Sequence, residues 1–221
     1  MKITPTVLQL FFACAMSHVL VSCQHPSKEQ DLESTKSDLY FLSSDDMMGR
    51  ETGTEGEKKA SEFIAKRFAD LGLLPKGDSA SWFQSFSFKP HPPVQMHGDG
   101  DSTKMGMAIV KEINGRNVIG LLDNKKDDYI IIGAHYDHLG MGDENSLHSG
   151  EKAIHNGADD NASGVSALML LIDDLKKEPL NFNVLFMAFS GEEKGLWGSN
   201  YFCDHPTIDL SKVKYMLNMD M

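Results

Sequence analysis

The spacing of apolar residues changes along the chain and predicts different elements in its two halves. Residues 56–71 place apolar side chains at helical intervals, which predicts an amphipathic helix. The stretch WFQSFSF, residues 82–88, alternates between apolar and polar positions as a half-buried strand does. Prolines and glycines between residues 89 and 104 indicate a loop, and two short strands are predicted after it, MAIV at 107–110 and NVIGLL at 117–122.

In the second half, three apolar runs alternate with helical patterns. DYIIIGA and NFNVLFMAFS predict strands buried on both faces, and VKYMLNMD predicts a third strand. Helices are predicted between them, at about residues 162–177 and 195–205. This order of strand, helix, strand, helix and strand indicates an α/β fold with a mainly parallel central sheet flanked by helices.

The first 23 residues are a separate segment. Lys2 precedes an apolar stretch that suits a secretory signal better than a membrane span. The segment ends in LVSC, which resembles a bacterial lipoprotein cleavage box with Cys23 as the lipid-bearing residue; an ordinary signal peptide with an incidental cysteine is the alternative. We therefore expect a lipoprotein signal at 1–23, a flexible polar tether at 24–37 and a catalytic domain at 38–221. The protein is expected to be exported and anchored in the bacterial cell envelope, at the periplasm or outer membrane.

Charge and cysteine content narrow the classes of partner. The chain has 32 acidic and 21 basic residues and a formal charge of −11, which disfavours nucleic acids and anionic membrane surfaces. The expected membrane contact is therefore only the lipid on Cys23. Since Cys14 lies in the signal, Cys203 has no partner for an internal disulfide.

Polar clusters follow each of the three predicted core strands. His135, Asp137 and His138 follow the first strand, and Asp159 and Asp160 open the helix after it. The other two strands lead into a pair of acids and a single acid, Glu192 with Glu193 and Asp220. Because ligands collect beyond the carboxyl ends of such strands, we expect these clusters to converge on one rim.

The residue types in these clusters suit a metal. Imidazole and carboxylate together favour zinc, and a carboxylate can bridge two ions. Asp137 lies two residues after His135 at a strand end, so it is placed to hold the far imidazole nitrogen. Adjacent Glu192 and Glu193 cannot point alike, so one can bind metal while the other acts as general base. For NGADDNASG, residues 156–164, plain helix capping is the competing interpretation.

Four motifs in order, GAHYDHLG, NGADDNASG, SGEEKGLWGS and NMD, resemble the co-catalytic di-zinc aminopeptidases of the bacterial leucyl aminopeptidase and aminopeptidase Y type. GRETGTEGEKKASEFIAKRF resembles the N-terminal helix of that family. The resemblance implies a phosphorylase/hydrolase-like fold and removal of N-terminal residues from peptide substrates.

The resemblance also assigns roles to individual residues. His135 and Asp220 would bind one zinc, Asp160 would bridge two, and Glu193 would bind the other. Glu192 would be the general base. Asp159 would be a neighbour only, and the bond between residues 160 and 161 is the family's usual site of a cis peptide.

One expected ligand is not matched by any residue. The family completes the zinc bound by Glu193 with a histidine well after the NMD motif, and no histidine follows His205 here. The chain therefore resembles the first two-thirds of such an enzyme, with one near-complete half-site, one deficient half-site and an uncovered last strand. His138 is expected near the rim without being a ligand. Four other histidines are expected in loops or exposed, namely His91, His97, His148 and His155.

Three functions remain open from the sequence. The first is a zinc aminopeptidase. The second is a single-zinc glutaminyl cyclase, which releases ammonia from a glutaminyl peptide instead of a free residue. The third is an inactive fragment or a binding module on the same scaffold, although Glu192 and the matched ligands are retained.

Overall fold

The computed structural model describes residues 28–89, 111–142 and 146–221, and the side chains from residue 32 onward. Within these ranges the chain forms four α-helices: α1 Lys28–Leu42, α2 Glu55–Asp70, α3 Gly164–Lys176 and α4 Trp197–Asp204. It also forms six strands: β1 Leu74–Pro75, β2 Phe83–Phe88, β3 Ile113–Leu122, β4 Tyr129–His135, β5 Asn183–Phe189 and β6 Val213–Met219.

The strands form one mixed sheet in the order β1-β3-β5-β4-β6, with β2 also paired to β3. Strand β4 lies between β5 and β6 and is parallel to both. Strand β3 is antiparallel to β1, β2 and β5. The predicted α/β fold is confirmed, and its parallel part is the β5-β4-β6 unit, whose three carboxyl ends lie at one edge.

Strand β5 shows why a continuous apolar run becomes a central strand. All seven of its residues are buried, and they alternate between two faces. Val184, Phe186 and Ala188 pack into the larger core, which α2 and α3 cover with side chains such as Phe68 and Leu168. The opposite face packs into a smaller core that includes Phe202 of α4.

Helix α1 runs across the predicted boundary at residue 37. Residues 28–37, expected as flexible tether, belong to a helix that continues into the domain. Its last turns are anchored, because Leu42 is fully buried and the Asp38 carboxylate accepts hydrogen bonds of 2.9 and 2.8 Å from Arg67 of α2. The polar composition of residues 24–37 suggested a linker. The contacts of Asp38 and Leu42 are nevertheless enough to hold α1 against the domain.

Several predicted segments lie outside the described residues: the signal at 1–23, residues 24–27 of the tether, the strand at 107–110, and His91 and His97. In the described part of the chain, no helix is long and apolar enough to cross a bilayer. Strand β6 pairs only with β4 among the described strands, and Tyr215, Met216 and Leu217 on it are 70%, 49% and 58% exposed.

Candidate metal centre

The predicted convergence of polar residues is found at the carboxyl edge of the parallel strands. His135 ends β4, Asp220 follows β6, and Glu193 follows β5. Asp160 lies in the turn Ala158–Ser163 that leads into α3. Because β4 lies between its two parallel neighbours, these side chains reach a common rim.

One group of possible ligands surrounds the imidazole of His135. Its Nε2 lies 3.1 Å from Asp160 Oδ1 and 3.2 Å from Asp220 Oδ1. His135 is 2% exposed, whereas the two carboxylates are about half exposed at 44% and 48%. The group therefore combines a fixed imidazole with two acids open to the solvent side.

A second group surrounds His138, which we expected near the rim but not as a ligand. Its Nδ1 lies 2.6 Å from Glu193 Oε1 and 3.9 Å from Asp160 Oδ2. These three side chains bring their ligand atoms within 4.8 Å of one another, as do His135, Asp160 and Asp220. His138 thus supplies an imidazole where the sequence indicated a deficient half-site, and Asp160 belongs to both groups. The sequence signal was the position of His138 directly after Asp137 at the β4 exit.

The hydrogen bonding and the pKa of Asp160 show whether these residues fit a metal. Its Oδ1 is buried and has no hydrogen-bond partner in the described structure. Burial is the largest influence and raises the pKa of Asp160; His135 and His138 oppose this, and Glu193 and Asp220 add to it. A cation between such carboxylates offsets their repulsion, and two imidazoles with three carboxylates suit zinc. The residues therefore fit the metal.

Asp137 contacts both His135 and the backbone of the two glutamates. His135 Nδ1 lies 3.2 Å from the Asp137 carbonyl oxygen and 3.7 Å from its carboxylate Oδ1. Asp137 therefore lies beside the far nitrogen of His135, but the nearest Asp137 atom is the backbone oxygen and not the carboxylate. Because a carbonyl oxygen can only accept a hydrogen bond, this contact keeps a hydrogen on His135 Nδ1. The buried carboxylate accepts hydrogen bonds from the backbone N–H groups of Glu192, at 3.1 Å, and Glu193, at 3.4 Å.

The two adjacent glutamates differ in their position relative to the ligand groups. Glu193 is in the second ligand group, whereas Glu192 is in neither group among the described residues. Burial raises the pKa of Glu192; His135 opposes this, and Asp137, Asp220 and Glu193 add to it. The Glu192 carboxyl therefore lies beside the ligand groups without belonging to either of them in the described structure.

Asn161 forms hydrogen bonds to the ends of two strands and to the start of α3. These bonds show that NGADDNASG does more than cap a helix. The Asp160–Asn161 peptide bond is cis, at the position that the family resemblance implies. The Asn161 amide donates to the carbonyl oxygens of His135, at 3.2 Å, and Met219, at 2.9 Å. Its Oδ1 accepts from the N–H of Gly164 at the start of α3. The segment therefore both caps the helix and joins the ends of β4 and β6.

Arg50 is a supporting residue that the sequence analysis missed. Its guanidinium is fully buried and donates to four backbone carbonyls, those of Leu42, Tyr136, Asn156 and Gly157. Burial lowers the pKa of Arg50 to about 10 even though nearby acids oppose this. The residue fixes the loop before Asp160 against the β4 exit. The GRETGTEG motif was the only signal for it.

The other histidines stay outside both ligand groups of the described structure. His155 Nε2 lies 2.6 Å from Ser146 Oγ, and the exposed His148 ring lies 6.1 Å from the His155 ring. His205 stacks on Tyr201. Asp159 is also outside both groups of the described residues.

Comparison with known proteins identifies the segment that holds these groups. Residues 117–221 match the sequence profile of peptidase family M28. This segment belongs to that family. The M28 segment contains both ligand groups in full, and the resemblance based on the four motifs is confirmed.

Relatives and solved structures agree with this assignment. Aminopeptidase YwaD of Bacillus subtilis (strain 168) is 31% identical over 110 residues, or 48% of this chain and 21% of YwaD. A Zn-dependent exopeptidase from Parabacteroides distasonis is 16% identical with a TM-score of 0.64, and the match covers 86% of this chain and 61% of that one. Bacteroides thetaiotaomicron glutaminyl cyclase is 17% identical with a TM-score of 0.62 and the same two coverages.

The identities and coverages of these matches decide what they show about this chain. The two solved structures show the fold alone, because their identity is low. The chain spans about a fifth of the length of YwaD and less than two thirds of either solved chain. The family match shows a peptidase segment, and zinc is the metal that the imidazole and carboxylate groups of the centre suit.

Zinc binding is predicted to be strongly pH-dependent. Burial lowers the pKa of His135, but Asp137, Glu192 and Asp160 outweigh it and raise the pKa from 6.5 to about 9. Protonated His135 therefore stabilises the metal-free protein below pH 6.5, and this contribution is lost as the pH rises through about 9. Zinc must displace this proton, so its apparent affinity should fall about tenfold per pH unit below that pKa.

Competition with a chromophoric chelator between about pH 6.5 and 9 measures this dependence. The variant His148→Ala, which changes an exposed histidine outside both ligand groups, should show the same slope as the unchanged protein. An affinity that stays constant across this range would contradict the assignment of His135 as a ligand.

Proposed function

We propose that the protein is a zinc-dependent aminopeptidase that hydrolyses N-terminal residues from peptides, with Glu192 as general base. The observation that supports this most is the Asp160 carboxylate, whose two oxygens face two different imidazole-containing groups. A shared carboxylate suits a two-metal centre, and two-metal centres serve hydrolysis. The M28 segment and the aminopeptidase relative support the same class of reaction.

We assign the metal ligands by group. His135, Asp160 and Asp220 would hold one zinc ion, and His138, Asp160 and Glu193 would hold the other. Bound zinc would supply Lewis acidity to the scissile carbonyl and to the attacking water. The half-exposed carboxylates of Asp160 and Asp220 would attract the ammonium group of a peptide N-terminus.

Glu192 would move the proton. A carboxylate oxygen of Glu192 accepts a proton from the attacking water as the carbon–oxygen bond forms, and then delivers it to the leaving amine as the carbon–nitrogen bond breaks. Its raised pKa brings it closer to neutral pH, which suits a group that must both accept and release the proton. The Asp137 carboxylate holds the Glu192 backbone N–H at 3.1 Å, which fixes the turn that carries this base.

The variant Glu192→Gln tests the role of the base. We expect chelator-sensitive hydrolysis of an aminoacyl p-nitroanilide to fall by about 10²- to 10⁴-fold, because the amide cannot accept the proton. Zinc content should stay unchanged, since Glu192 is in neither ligand group. The control Glu178→Gln, at an exposed position just after α3, should keep full activity. Hydrolysis by Glu192→Gln at the unchanged rate, or no hydrolysis by the unaltered protein with zinc, would overturn the proposal.

Glutaminyl cyclase activity is the second candidate, favoured by the TM-score of 0.62 to a solved cyclase. The two ligand groups weigh against it, because a single-zinc cyclase needs only one. A peptide with N-terminal glutamine separates the two reactions. An aminopeptidase releases free glutamine and a shortened peptide, whereas a cyclase releases ammonia and leaves the residue on the peptide.

We further propose that the protein is an exported lipoprotein anchored through Cys23. The support is the sequence: a lysine, an apolar stretch and the LVSC box. In a bacterial host, the unchanged protein should incorporate labelled fatty acid and partition with membranes, and Cys23→Ser should do neither. The variant Cys203→Ser is the matched control and should behave as the unchanged protein. Equal labelling of Cys23→Ser would rule out this anchor.

A further inference from the structure

The hydroxyl of Thr52 joins two loops that carry the metal centre. Thr52 lies in the turn before α2 and is only 3% exposed. Its Oγ1 donates to Asp137 Oδ2 at 3.0 Å and accepts from the N–H of Gly191 at 3.0 Å. One hydroxyl thus contacts both the exit of β4 and the exit of β5.

The bond to Asp137 extends this junction to the two glutamates. Asp137 is fully buried and also accepts from the backbone N–H groups of Glu192 and Glu193. The three successive N–H groups after β5 are therefore all bound: that of Gly191 by the Thr52 hydroxyl, and those of Glu192 and Glu193 by the Asp137 carboxylate. Removing the hydroxyl frees one of these N–H groups and takes a hydrogen-bond donor from the carboxylate.

Ser190 and Glu57 anchor the same turn from the other side. Ser190 Oγ lies 2.7 Å from Glu57 Oε1 and 3.2 Å from Thr52 Oγ1. Because a serine hydroxyl has one hydrogen, the shorter bond to the carboxylate takes it. Glu57 also accepts from the N–H of Gly53 at 3.0 Å, so Thr52 is held in place by its neighbours in the turn.

We propose that Thr52 is a positioning residue that aligns Glu193 with His138 and Asp160, and Glu192 with the reacting centre, through Asp137 and Gly191. The hydrogen bonds of its hydroxyl reach Asp137, Ser190 and Gly191, none of which belongs to either ligand group of the described residues. This inference deepens the proposed zinc-dependent function and rests on it for the activity readout. Its affinity readout depends only on metal binding.

The variants Thr52→Val and Thr52→Ser test the hydroxyl directly. Valine keeps the shape of threonine and removes the hydroxyl, whereas serine keeps the hydroxyl. We expect zinc affinity of Thr52→Val to fall about 10- to 100-fold, the usual effect of losing a group that orients metal ligands. Thr52→Ser should stay within about threefold of the unchanged protein. In the activity assay, kcat should fall while KM changes little.

Thr54→Val is the matched control in the same turn. The Thr54 hydroxyl accepts from the N–H of Glu57 as the N-cap of α2 and donates to the Glu51 carbonyl, and neither of these bonds reaches Asp137 or Gly191. This variant should lower the melting temperature and leave zinc affinity unchanged. Thermal melts of all variants separate loss of fold from loss of positioning.

Three outcomes would overturn the proposal: unchanged zinc affinity in Thr52→Val, an equal affinity loss in Thr54→Val, or no recovery in Thr52→Ser. If Thr52→Val does not fold, Thr52→Ala, which leaves room for a water molecule, is measured against the same thresholds. If the unaltered protein does not hydrolyse peptides, the proposed function is wrong. The comparison of zinc affinities would still decide the role of Thr52.

Discussion

The centre depends on one carboxylate placed between two imidazoles. Asp160 faces His135 with one oxygen and His138 with the other, and Glu193 and Asp220 approach from either side. Acidic side chains this close repel one another, and burial raises the pKa of Asp160 further. Positive charge is therefore needed to complete the site, and the donor types make zinc a suitable source of it.

The surrounding fold holds these side chains without using their ligand atoms. Arg50 binds four backbone carbonyls, and Asn161 binds the carbonyls at the ends of β4 and β6. Thr52 binds Asp137 and a backbone N–H group. Each support fixes a loop through its backbone or through Asp137, and the two Asp160 oxygens are left facing His135 and His138. A site that is preorganised in this way pays little ordering cost when a cation binds.

The sequence predicted what depends on local pattern and on strand order. Continuous apolar runs identified β4 and β5, and the parallel order then placed His135, Asp160, Glu193 and Asp220 together. Contacts between distant segments were not predictable, because spacing along the chain does not encode them. Arg50 reaches Gly157 across 107 residues. The contact between His138 and Glu193 was not predicted, because the direction of the His138 ring depends on the turn after β4. Helix α1 was not predicted, because its docking uses few apolar residues.

Diffraction at the zinc absorption edge from crystals of the zinc-loaded protein tests the central claim most directly. The account predicts two anomalous peaks, one beside each oxygen of Asp160, with His135 and Asp220 at one peak and His138 and Glu193 at the other. A single peak, or a second peak away from Asp160, would contradict the shared carboxylate and the two-metal centre built on it.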